Sequence, residues 1–157
     1  HYVLAHELWP ADVTIEIARP RADDEHYDLY CRYQRLRHPE RVDSHEAFAG
    51  FLVESPIETL EFAFRASGRL RGVSIVDVCP VSLSSVYFYY DPEEGRRSLG
   101  VFSGLCEIDE CRRRGVPHWY LGYFVSGCSK MEYKARFRPS ELLGADGVWR
   151  RTLSTVE

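Results

Sequence analysis

At 157 residues, with 45% hydrophobic and 13% aromatic side chains, the chain is long enough for one core that takes about two-thirds of its unfolded surface out of water, which excludes a disordered segment. Its 20 lysines and arginines against 24 acids give a net charge of −4, so no global basic field drives nonspecific nucleic-acid binding and any RNA contact is local. Five cysteines form no Cys-x-x-Cys pair and no apolar run approaches the roughly 20 residues of a membrane span, which predicts a soluble protein of a reducing cytoplasm with no membrane partner and no metal site.

In chain order, the alternation of Asp12 to Ile17 predicts a strand with Val13, Ile15 and Ile17 on one face, closed by Pro20. Asp23-Asp24-Glu25 opens a helix with acids where the macrodipole favours them; it runs to about Arg37, stops at His38-Pro39, and buries Tyr27, Tyr30 and Cys31. Ser44 caps a second helix to about Val53, with Phe48, Phe51 and Leu52 inward. Strands follow at Thr59 to Ala66, Leu70 to Val78 and Leu83 to Tyr90, the first two joined as a hairpin by Ser67-Gly68. A long helix from Arg96 to about Arg114 packs through Leu99, Phe102, Ser103, Cys106 and Ile108, and Gly115 ends it. A last strand at His118 to Phe124 is expected to lie parallel to Leu83 to Tyr90, as strand-helix-strand crossovers favour.

Strand, two helices, antiparallel meander, helix, strand is the order of the GNAT acyltransferase fold. The expected class is therefore α+β, a mixed and mostly antiparallel sheet flanked by helices, as a single domain over residues 1–157.

The most specific stretch is Tyr120-Leu121-Gly122-Tyr123 running into Gly127-Cys128-Ser129-Lys130-Met131-Glu132-Tyr133-Lys134-Ala135-Arg136-Phe137-Arg138-Pro139. It resembles the closing motif of the arginyl-tRNA-protein transferase family, which includes the bacterial leucyl-tRNA-protein transferases, with Ser129 where relatives commonly have proline. Asp77-Val78-Cys79-Pro80, Leu83-Ser84-Ser85-Val86-Tyr87, Tyr90-Asp91-Pro92, Arg97-Ser98-Leu99-Gly100, Glu25-His26-Tyr27-Asp28-Leu29-Tyr30 and Arg37-His38-Pro39 read as further blocks in the same order, over about residues 13–143. Relatives usually carry a cysteine-rich domain before this region, and the expectation from this sequence is the catalytic region without it. The resemblance implies the GNAT-like architecture and transfer of leucine or arginine from aminoacyl-tRNA to the amino terminus of proteins beginning with Asp or Glu, which marks them for degradation. Aminoacyl-tRNA is then a co-substrate, and no cofactor is expected.

Chemically this is aminolysis of an activated ester by an α-amine of pKa about 7.7 to 8.0, so positioning and oxyanion stabilisation carry most of the rate. Asp77 is the candidate for receiving the amine proton, with capping of the turn before Pro80 as its structural alternative. Tyr123 and Tyr133 are candidate donors to the developing alkoxide or the amino acid's carbonyl, and core packing is the alternative for each. Lys130, Lys134 and Arg136 are candidates for the acidic acceptor terminus: Arg136 offers a bidentate fork, and a short helix would put the two lysines on one face. Arg96, Arg97 and Ser98 are candidates for tRNA phosphate at a helix start, or else solvated first-turn residues.

Two other functions stay open. A coenzyme-A-dependent N-acyltransferase would share the fold, although Phe102 stands where its pyrophosphate loop wants a small residue. A noncatalytic module would bind acidic peptide amino termini or RNA.

Overall fold

The computed structural model describes residues 12–40, 43–129 and 131–152, with only the backbone of Arg96. It divides into two compact units, His1–Tyr120 and Leu121–Glu157.

In the first unit, five strands form one sheet in the order β1 (Val13–Ala18), β2 (Thr59–Ala66), β3 (Arg69–Cys79), β4 (Ser82–Tyr90) and β5 (His118–Tyr120). All neighbours are antiparallel except β4 and β5, which are parallel. The Ser67-Gly68 turn has positive φ at both residues, 51° and 74°, as a tight hairpin requires. The expected mixed, mostly antiparallel sheet is therefore present.

Helices α1 (Asp24–Arg37) and α2 (His45–Leu52) cover one face of the sheet, where Leu29, Tyr30, Phe48 and Leu52 pack on Ala63, Val73, Ile75 and Tyr89. Helix α3 (Leu99–Arg114) covers the other, placing Leu99, Phe102, Cys106 and Cys111 against Leu60, Phe62, Phe64, Val76 and Leu83. Caps start the first two helices as their sequences dictate: the Asp23 carboxylate accepts from the His26 amide and the Ser44 hydroxyl from that of Ala47.

Several details differ from expectation. In α1 the buried stripe is His26, Leu29, Tyr30 and Gln34, while Tyr27 and Cys31 are only half-buried. Phe48 and Leu52, one turn apart, fill the core from α2, and Phe51 is 48% exposed with its ring edge-on to Tyr87. Helix α3 begins at Leu99 rather than Arg96, because Asp91 caps a preceding 3-10 helix, Pro92–Arg97, and Ser98 then turns left-handed at φ 51°. Its packing stripe includes Glu107 and Glu110, and Ile108 lies at the margin. Strand β5 stops at Tyr120 instead of reaching Phe124, since Gly122 at φ 74° leaves the extended conformation.

The second unit carries a 3-10 helix, Glu132–Arg136, and a hairpin of β6 (Glu141–Leu143) and β7 (Trp149–Arg151). The hairpin is tied at its base by the hydroxyls of Ser140 and Thr152, 2.6 Å apart, and at its tip by the Gly144 amide donating to the Val148 carbonyl. Among the described residues no helix is long and apolar enough to cross a membrane.

Candidate active site

The sheet is irregular at one place that suits a ligand. Strand β5 pairs with β4 only over Ser82, Leu83 and Ser84, opposite His118, Trp119 and Tyr120. One residue further on, β4 bulges: Ile75 opposes Tyr87 and Val76 opposes Ser85, which leaves Val86 as an extra residue. A bulge takes its extra residue out of the ladder and re-aims its backbone groups, and such sites recur beside active centres. The end of the parallel pairing and the bulge together leave a gap in the hydrogen-bond ladder at Ser85 and Val86.

On the α3 side of the gap lies a buried carboxylate that the sequence reading missed. Glu107, 2% exposed, accepts hydrogen bonds from the Ser74 and Ser103 hydroxyls at 2.7 and 2.9 Å, from the Trp119 indole at 2.8 Å, and from the Ser85 hydroxyl. The available signal was an acid within the apolar stripe of α3, four residues after Ser103. Cys106, one residue away, has its thiol pushed up to about 12, first by burial and then by the charges of Asp109 and Glu107, so it is no thiolate nucleophile.

On the α1/α2 side, Asp77 sits two residues before the end of β3, opposite Thr59, whose hydroxyl donates to it at 2.8 Å. Further along that face a second missed cluster centres on the fully buried His26 and Glu61. His26 bridges Asp23 (2.6 Å) and Glu61 (3.0 Å), and Arg21 donates to Glu61 through its backbone and its guanidinium. Burial lowers the His26 pKa, but hydrogen bonds to Glu61 and Asp23 outweigh it and the net value is raised. Burial likewise raises Glu61, and the His26 and Arg21 contacts bring it below its ordinary range.

Of the residues expected for tRNA, Arg97 is paired with acids of its own chain. Arg97 makes a two-pronged pair with Asp12 at 3.0 and 2.8 Å and a further pair with Glu94 at 2.7 Å. Ser98 is the left-handed residue before α3 and makes no side-chain cap, and the Arg96 side chain lies outside the described residues. Phe102 turns into the core, its ring 5.7 Å from that of Phe64. The run Arg112, Arg113, Arg114 is neutralised along its own helix by Asp109 and Glu110, and by Glu58. Among the described residues, no group of three or more His, Cys, Asp or Glu is placed to hold a metal.

In the second unit Tyr123 is 88% exposed, Tyr133 packs edge-on to Phe137, and Arg136 is exposed at the end of the 3-10 helix. Lys130 lies outside the described residues, and Lys134 and Arg136 lie on the 3-10 helix. The Lys134 ammonium donates to the carbonyls of Leu121 and Tyr123, both at 2.8 Å, and burial lowers its pKa. It thereby clasps the Tyr-Leu-Gly-Tyr segment and keeps one of its three donors. Since hydrogen bonds to a charged group are worth about 1.5–3 kcal/mol each, Lys134→Met should speed cleavage within Leu121 to Phe124 by at least about tenfold, read by limited proteolysis of the native protein.

A mostly antiparallel sheet covered on both faces, with a bulged strand beside a short parallel one, is the fold of the GNAT N-acyltransferases. The ribosomal-protein-S18-alanine N-acetyltransferase of Escherichia coli superposes with a TM-score of 0.56 at 19% identity, over 87% of this chain and 88% of that one. The PaiA N-acetyltransferase of Thermoplasma acidophilum, solved in complex with coenzyme A, gives 0.56 at 12%, over 87% and 96%. Within that fold the chain belongs to a particular family, the one described as "Arginine-tRNA-protein transferase, C terminus", which matches residues 25–144. Relatives named aspartate/glutamate leucyltransferase, from Pseudomonas putida (strain W619) and Pseudomonas fluorescens (strain SBW25), are each 43% identical over 136 residues, covering 85% of this chain. The chain spans 58% of the length of those relatives.

Proposed function

We propose that this chain carries the catalytic part of an aminoacyl-tRNA-protein transferase that moves leucine from leucyl-tRNA to the amino terminus of proteins beginning with Asp or Glu. The observation that carries this reading is the family match over residues 25–144, which includes α1, the β4 bulge, α3, β5 and the Tyr-Leu-Gly-Tyr segment. Leucine is preferred over arginine as donor because the relatives at 43% identity are named leucyltransferases.

The reaction asks for few groups. The acceptor's α-amine attacks the ester carbonyl, the carbonyl oxygen gains negative charge, and the tRNA ribose oxygen leaves. Backbone amides at the Ser85-Val86 bulge suit the first need, as fixed dipoles that hold the oxyanion without reorganising. Asp77 is proposed to take the amine's proton, directly or through water. Tyr123 and Tyr133 are proposed as donors to the leaving oxygen, and Arg136, with Lys130 and the remaining donor of Lys134, as partners of the acidic acceptor side chain.

The test is transfer of radiolabelled amino acid from leucyl-tRNA and arginyl-tRNA, assayed separately, to peptides beginning with Asp, Glu or Ala. We expect leucine on the Asp and Glu peptides and none on the Ala peptide. No transfer from either donor by the folded chain would overturn the reading, and retention of charged tRNA or acidic peptide without turnover would favour the binding module.

A further inference from the structure

We propose that Glu107 is the positioning residue of the β4 gap: through Ser85 and Trp119 it fixes how β5 leaves β4 and so where the bulged backbone points. The proposal rests on the transferase reading for its kinetic consequence but not for its structural content. Glu107 receives one donor from each element that meets at the gap, Ser74 from β3, Ser85 from β4, Ser103 from α3 and Trp119 from β5. Trp119 also donates to the Ser85 hydroxyl at 3.0 Å, which closes the link between the two diverging strands.

Packing alone would not call for a carboxylate at this place. Apolar side chains make up most of this face, and a buried acid among them is tolerated only when its oxygens are satisfied. Here each oxygen accepts twice, so the side chain is held in one geometry. Strand β5 has only three residues and three ladder partners on β4, too few to fix its angle by backbone pairing alone. Trp119 occupies the middle position, opposite Leu83, and its indole reaches the carboxylate beside Ser85, the first residue past the paired segment. An oxyanion hole is sensitive to displacements near 1 Å, so a loose β5 costs rate before it costs stability.

Three variants separate positioning from bulk structure. Trp119→Phe keeps the ring packing and deletes the donor. Glu107→Gln can keep its carbonyl toward Trp119 and Ser85, with its amide toward the Ser74 and Ser103 hydroxyls, which rotate to accept. Glu107→Leu removes every acceptor.

With leucyl-tRNA and an acidic peptide, Trp119→Phe and Glu107→Leu should lower kcat at least about tenfold with the peptide KM within about twofold, while Glu107→Gln stays within about threefold of wild type. In parallel, the Trp119 indole N–H, assigned in nitrogen-15 NMR spectra by its loss in Trp119→Phe, should be strongly protected from exchange in wild type and Glu107→Gln and unprotected in Glu107→Leu. A wild-type kcat in Trp119→Phe, or a Trp119 indole that exchanges as fast as that of exposed Trp149, would overturn the proposal. Absence of transfer by wild type would instead overturn the proposed function, and the indole exchange would still decide whether Glu107 holds the strand.

Discussion

Glu61→Ala will cost the fold about 3–5 kcal/mol, the range for removing one member of a buried ion cluster and leaving the others uncompensated. Glu61 is fully buried and takes three hydrogen bonds from Arg21 and one from His26. Without it, a buried imidazole retains only Asp23, and the Arg21 guanidinium only Glu16. Against a total stability of about 5–15 kcal/mol this is a large fraction, and thermal unfolding should shift down by about 10 °C or more. The same cluster makes stability depend on pH with a definite sign. The folded His26 pKa is raised above 6.5, so its contribution is full below about pH 6.5 and fades as pH rises through the folded value. The folded pKa of Glu61 is below 4.5 and that of Asp23 below 3.8, so their contributions hold above those values and fade as pH falls through the folded ones. Wild type should therefore be most stable between about pH 4.5 and 6.5 as far as this cluster decides it, and the decline from pH 6 to 9 should flatten in Glu61→Gln. Melting curves at pH 6 and 9 for both proteins check this; equal slopes would mean that His26 is not the titrating group.

Legibility in the sequence followed the range of the interaction. Asp23 and Ser44 cap within three residues of themselves, Ser67-Gly68 turns on its own φ angles, and Gly115 ends α3 locally, so these features and the sheet they frame could be read directly. The parallel placement of β5 followed from the crossover rule. What stayed hidden is set by distant partners. Glu61 lies in a strand whose alternation puts Thr59, Glu61, Ala63 and Arg65 in one phase, which reads as a solvent face; it is buried because His26, 35 residues earlier, meets it from α1. Glu107 looks like an ordinary helix acid until serines from β3 and β4 and a tryptophan from β5 converge on it. Arg97 reads as a phosphate candidate or a solvated first-turn residue from its place at a helix start, while its pairing with Asp12, 85 residues earlier, is set by a distant partner. Locally determined features are legible in the residue types, whereas the commitments of distant side chains to one another are not.

Asp77→Asn should lower kcat/KM for leucine transfer about a hundredfold at pH 7, near the bottom of the range for general-base assistance, if Asp77 receives the amine proton as proposed. Asparagine keeps the oxygen that accepts from Thr59, so thermal unfolding should stay within a few degrees of wild type and only the proton acceptor is lost. The substrate supplies an internal control. An α-amine of pKa about 7.7 to 8.0 is only about one-sixth to one-eleventh neutral at pH 7 and more than about nine-tenths neutral at pH 9, so the part of the deficit that reflects deprotonation before attack should shrink about six- to tenfold over that interval. The remainder reflects proton removal during attack and should persist. Thr59→Val, which leaves the carboxylate in place but frees its orientation, should cost only about fivefold and show no such narrowing. Rates measured at both pH values, corrected for spontaneous loss of the aminoacyl ester at pH 9, distinguish the roles. A deficit under threefold at both would assign Asp77 to the turn before Pro80 and move the search for the base to the other groups lining the gap.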